Sequence, residues 1–121
     1  MHNEQVLDHF MNPRNVGSIE DASCTGNAGN PADGDTVRLY LRIEDGRIVD
    51  AKVKAFGCPA AIAAASALTE LVMGKTIDQA LAVRNEDVSE ALGGLPESKL
   101  HCSVLAEAVL DDAISQYREE A

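Results

Sequence analysis

The chain has 121 residues, and 10 basic against 20 acidic side chains leave it at −10. Hydrophobic residues make up 45%, enough for one modest core and too many for a disordered chain. The negative charge, the lack of any basic patch along the sequence and an aromatic content of 3% argue against a nucleic-acid partner and do not exclude a basic protein.

No run of 18 apolar residues is present, so no membrane-spanning helix is expected. The start, Met1-His2-Asn3-Glu4-Gln5, lacks the basic and apolar regions of a signal peptide, which points to the cytoplasm. In that compartment Cys24, Cys58 and Cys102 read as thiols or metal ligands rather than disulfide partners.

Residues 3–11 predict a short helix with Val6, Leu7, Phe10 and Met11 on one side, stopped by Asn12-Pro13. Residues 12–35, rich in Gly, Asn, Asp, Ser and Pro, read as one long, mobile loop, and loops of that length are often functional. A hairpin follows. Val37, Leu39, Leu41 and Ile43 alternate with polar residues, Asp45-Gly46 supplies the turn, and Val49, Ala51, Val53 and Ala55 form the apolar face of the return strand. Pro59 opens an Ala-rich buried helix that ends near Gly74. Short helices are expected over 76–83, capped by Thr76, and over 86–92, stopped by Gly93-Gly94. The last helix runs from Ser98 or Leu100 to Arg118. Its wet stripe is Glu107, Asp111, Ser115 and Arg118, and its dry side holds Cys102, Leu105, Ala106, Val109, Ala113 and Tyr117. Strands first and helices after predict a single α+β domain over 1–121, a small antiparallel sheet packed against helices.

Candidate chemistry sits at punctuated positions. Cys58 falls where a strand passes into a helix, a place that favours a thiolate. His101 and Cys102 open the last helix, and Asp33 and Asp35 close the Gly-rich loop. Two thiols, an imidazole and a carboxylate suit tetrahedral zinc, and thiolates also suit iron. The spacing alone does not separate a shared metal site from two buried cysteines with a capping histidine. There is no Cys-x-x-Cys, and no His-x-Glu followed by Pro-Cys-x-x-Cys, so a zinc deaminase is not indicated.

Several stretches in order carry a resemblance: DHFMNPRNVGSI at 8–19, GNPADGD at 29–35, IEDGRIVDAKVKAFGC at 43–58, TELVMGKT at 69–76, ALGGLP at 91–96 and KLHCSVLAEAVL at 99–110. Together they resemble the scaffold proteins of iron–sulfur cluster assembly, the IscU/NifU N-terminal family. The resemblance implies a non-enzymatic scaffold that builds and transfers a [2Fe–2S] cluster with sulfur from a cysteine desulfurase. Its other partners would be acceptor apoproteins and an electron donor such as ferredoxin. Carried over residue by residue, Cys58, Cys102, Asp35 and His101 bind metal or cluster, and Cys102 is the persulfide acceptor. The family's first cysteine, in Pro-x-Cys-Gly-Asp, is replaced by Asp33. A carboxylate is a harder donor and carries no persulfide, so Asp33 either ligates metal or disables a step. Cys24, nine residues upstream, is the candidate replacement thiol, against the alternative of an exposed, incidental one. Glu97-Ser98 stand where scaffolds served by a dedicated Hsp70-type chaperone carry Pro-Val, which argues against that dependence. The alternative reading is a zinc-bound sulfur-transfer or regulatory partner of a cysteine desulfurase, a degenerate scaffold.

Overall fold

The computed structural model describes residues 3–30 and 34–120. Asp33, with its neighbours Pro31 and Ala32, lies outside the described residues, as do Met1 and His2. Helix α1 spans Glu4–Met11, and strands β1, β2 and β3 span Cys24–Asn30, Asp35–Glu44 and Arg47–Phe56. Helix α2 covers Pro59–Val72, α3 Ile77–Leu81, α4 Asn85–Ala91 and α5 Leu100–Glu120, the last preceded by a 3₁₀ turn over Glu97–Lys99. The strands form one antiparallel sheet in the order β1-β2-β3.

The hairpin forms as the alternation predicts: Val37, Leu39, Leu41 and Ile43 are buried while their neighbours are not. One prediction for β3 needs correction. Ala51 and Val53 face the core, but Val49 is exposed and Ile48 is buried in its place. A bulge causes this, because Arg42 pairs with Asp50 and Ile43 with Ile48, which leaves Val49 unpaired. An extra residue in one strand reverses the facing of everything beyond it.

The larger correction concerns residues 24–30, expected to be part of a loop. They form β1, in full register with β2 from Cys24↔Leu41 to Asn30↔Asp35. Gly26 explains how so small-sided a strand is held. A Cβ there would overlap the Val109 carbonyl oxygen and lie 2.6 Å from Ala113 N and 2.8 Å from Ala113 Cβ, so α5 lies directly on the strand backbone. The same helix closes the sheet edge. Gln116 Oε1 accepts the Thr25 N–H at 2.6 Å, and Asp112 Oδ2 accepts the Asn27 N–H at 2.8 Å. Edge amides that would otherwise template another chain are thereby occupied.

The α2 helix is buried along most of its length. Its alanines let α1, α5 and the sheet approach closely. Helix α3 carries the expected cap at Thr76, completed by Gln79. Arg84, at the start of α4, reaches Asp111 at 2.8 Å and Glu107 at 3.2 Å, so two residues of the predicted wet stripe are used to dock α4 on α5.

Helix α1 is tied to α2 by His9, whose Nδ1 lies 2.8 Å from Ser66 Oγ and whose Nε2 lies 3.5 Å from Glu70. Burial, helped by the nearby Arg14 charge, holds the His9 pKa below its usual 6.5. The unfolded chain therefore takes up this proton first as pH falls. Neutral His9 contributes its full stability above pH 6.5 and loses it as the pH drops below that value toward the folded pKa. Urea melts of wild type and His9→Gln over this range are expected to show the wild-type advantage shrinking with acidity. A gap constant with pH would contradict the assignment.

Candidate metal centre

Three segments meet at one end of the sheet: the start of β2, the β3–α2 junction and the first turn of α5. Asp35 opens β2 and is only 3% exposed. Its Oδ1 accepts the Cys58 N–H at 2.9 Å. Cys58 is the N-cap of α2, with Pro59 in the first turn. Between the two lies Gly57 at φ +140°, where a Cβ would overlap Asp35 Oδ1 and lie 2.9 Å from its Cα. Only glycine leaves room for the carboxylate, which gives the Phe56-Gly57-Cys58 sequence a physical reason.

The donor atoms converge. Cys58 Sγ lies 3.7 Å from Cys102 Sγ and 3.9 Å from Asp35 Oδ2. One ligand atom from each of Asp35, Cys58 and Cys102 lies within 4.8 Å of the other two. His101 Nε2 sits 3.5 Å from Cys102 Sγ and 3.6 Å from Asp35 Oδ2, and its ring is 43% exposed. A tetrahedral zinc ion with bonds of about 2.3 Å to sulfur and about 2.0 Å to nitrogen sets its sulfurs about 3.8 Å apart, and sulfur and nitrogen about 3.5 Å apart. The Cys58–Cys102 and Cys102–His101 pairs already stand near those separations, while His101 lies outside the group of Asp35, Cys58 and Cys102 whose donor atoms are all within 4.8 Å of one another.

Cys102 is 1% exposed. Burial, then the hydrogen bond and charge of Cys58 and the charge of Asp35, push its thiol up to about 12, against a small opposing pull from Lys99. Without metal, then, Cys102 is a protonated, shielded thiol, whereas Cys58 is half-buried. Iodoacetamide at neutral pH is expected to modify Cys58 first, and zinc is expected to protect both. Faster loss of the Cys102 thiol, followed by peptide mass spectrometry, would contradict this.

Cys24 is not brought to the site. It is buried, 4% exposed, at the far end of β1, so it is not an exposed thiol. Six residues of strand separate it from the residue that pairs with Asp35, about 20 Å at 3.3 Å per residue. Gly57 was not singled out in the sequence as a site residue. The signal lay in its place between a strand end and a capping cysteine.

A small α+β domain with two thiols and a carboxylate gathered at one sheet end, and an imidazole beside them, presents a candidate metal-binding site. The NifU-like N terminal domain family matches residues 1–121, and the chain belongs to that family of iron–sulfur scaffold proteins, with Asp33 in the position of one usual cysteine ligand. It is 52% identical over 117 residues to iron-sulfur cluster assembly scaffold protein IscU 1 of Archaeoglobus fulgidus, covering 97% of this chain and 76% of that protein. It is 49% identical over 118 residues to the scaffold protein IscU of Aquifex aeolicus, covering 96% and 75%. Nitrogen fixation protein NifU of Trichormus azollae is 46% identical over 123 residues, covering 95% of this chain and 41% of that longer protein. Among solved structures, a scaffold protein for the SUF system from Fervidobacterium islandicum has the same fold, with a TM-score of 0.76 at 24% identity over 93% of this chain and 96% of that one. The chain is thus a member of a scaffold family. Among the described residues, no helix is long and apolar enough to cross a membrane.

Proposed function

We propose that the chain holds a single metal ion, zinc or ferrous iron, on Asp35, Cys58, His101 and Cys102, and acts as a sulfur-transfer or regulatory partner of a cysteine desulfurase. The supporting observation is the grouping of Asp35, Cys58 and Cys102, whose donor atoms lie within 4.8 Å of one another, with His101 Nε2 at 3.5 Å from Cys102 and 3.6 Å from Asp35. A two-iron cluster divides its four donors between two metal atoms, most often four thiolates, and the mixed type sets two thiolates on one iron and two imidazoles on the other. Here only two thiols are gathered, and the position of the third holds Asp33, a hard oxygen donor.

When bound, the ion holds both thiols as thiolates at neutral pH. The chain's own part is to position them. Asp35 is fixed by the Cys58 amide, and His101, on the exposed side, is the donor best placed to leave. The Cys102 thiolate attacks the outer sulfur of the desulfurase persulfide. The donor's S–S bond breaks, a new S–S bond forms on Cys102, and the donor cysteine leaves as thiolate, with no net oxidation.

Anaerobic incubation with a cysteine desulfurase, cysteine, ferrous iron and reduced ferredoxin tests this reading. Wild type is expected to gain the mass of one sulfur atom on Cys102 without accumulating a [2Fe–2S] absorption band, and Cys102→Ser is expected to gain none. Asp33→Cys, which restores a soft donor, is expected to build the cluster. Cys24→Ser is expected to behave as wild type. A wild-type cluster that forms and passes to an apo-ferredoxin would overturn the proposal in favour of an assembling scaffold.

A further inference from the structure

The helices pack on one face of the sheet, and the other face is open. Across β2 and β3 that face sets Thr36 opposite Phe56, Arg38 opposite Lys54, Tyr40 opposite Lys52 and Arg42 opposite Asp50. Four of the ten Lys and Arg residues of the chain are therefore gathered on one surface of a protein carrying −10. The sequence hides this patch, because the cations alternate with core residues and are split between two strands.

Arg42 is paired with Asp21. Among the described residues, Arg38, Lys52 and Lys54 have no ion pair. Arg38 donates from Nε to Asn27 Oδ1 at 2.8 Å. Arg38 and Lys54 are direct cross-strand partners, and like charges so placed weaken a sheet. Between them lies a cavity of about 550 Å³ lined by Asn27, Thr36, Arg38, Tyr40, Lys54 and Phe56. Phe56 is 69% exposed at its rim. Arg and aromatic side chains around a concavity have the composition of an interface centre.

We propose that this open face docks an acidic protein segment, with carboxylates on Arg38 and Lys54 and an apolar side chain in the cavity against Tyr40 and Phe56. A carboxylate between the two opposed cations relieves their repulsion, which makes an anionic occupant the complementary one. The rest of the chain is more negative still, so it repels an extended phosphate backbone while admitting a short acidic segment. The surface lies outside the donor cluster. Phe56 leads through Gly57 to Cys58, so a partner seated here lies beside the metal centre without needing it to be loaded.

The probe is a short peptide of Glu and Asp around a central Leu-Phe pair, titrated into the isotope-labelled full chain. Amide shifts are expected along β1, β2 and the second half of β3, with affinity falling steeply as salt is raised. Arg38→Glu and Lys54→Glu are expected to weaken binding about tenfold or more, and Lys75→Glu and Arg118→Glu to leave it within about twofold. Lys54→Thr is expected to weaken binding while raising Tm, the signature of a charge kept for a partner at the expense of the sheet. Equal weakening by Lys75→Glu would overturn the proposal by showing an effect of net charge alone. Equally tight binding of an oligothymidylate of matched charge would do the same. So would sedimentation showing that the free chain already dimerises through this face, since the occupant would then be a second copy.

Discussion

Cys58→Ala and Cys102→Ala each strip the chain of metal. Wild-type protein is expected to carry close to one zinc ion per chain through gel filtration, and each variant less than about a tenth of that. Zinc bound through four donors in a folded site is worth roughly 10–16 kcal/mol, so losing one thiolate costs about 3 kcal/mol or more, on the order of a hundredfold in affinity. His101→Ala is expected to cost less, about tenfold, because the exposed imidazole is the donor that water replaces most readily. Elemental analysis against a competing chelator checks all three. Full zinc retention in both cysteine variants would remove the proposed site.

The largest expected effect on stability comes from a residue with no chemistry. Gly26→Ala drives a methyl group into the Val109 carbonyl and the Ala113 backbone of α5, where no flexible side chain is available to yield. Overpacking against backbone costs about 3 kcal/mol, which lowers Tm by roughly 10–15 °C in a domain of this size. Gly46→Ala, at φ +74° in the hairpin turn with nothing within 4 Å of the added carbon, is expected to cost only about 1 kcal/mol of backbone strain. Thermal melts of the two variants side by side check the difference. A Gly26→Ala protein as stable as Gly46→Ala would show that α5 does not rest on the strand backbone.

The same contact explains what the sequence showed and what it hid. Helices and the β2–β3 hairpin were legible because apolar period, caps and the Asp45-Gly46 turn act within a few residues. Strand β1 was not, because Cys24-Thr25-Gly26-Asn27-Ala28-Gly29-Asn30 carries turn-forming residues and few apolar ones. It is a strand because β2 supplies one ladder and α5 caps the other edge, both from far along the chain. Glycine there marks the close approach of a helix rather than a turn. Val49 was misplaced for a similar reason, since a bulge is set by pairing and not by alternation. For the metal centre, the donor types were visible, but Asp35 and Cys58 lie 23 residues apart and Cys58 and Cys102 lie 44 apart. Nothing local joins them, and it was the family motifs that singled them out together. The need for Gly57 emerges only once Asp35 occupies the space its side chain would fill.

X-ray absorption at the zinc edge of the loaded wild-type protein tests the central claim most directly. The donor set predicts two sulfur neighbours at about 2.3 Å and two nitrogen or oxygen neighbours at about 2.0–2.1 Å, with the multiple-scattering signature of one imidazole. A shell with three sulfurs would bring in Cys24 and contradict the geometry. A shell with no sulfur would place the metal away from Cys58 and Cys102 altogether.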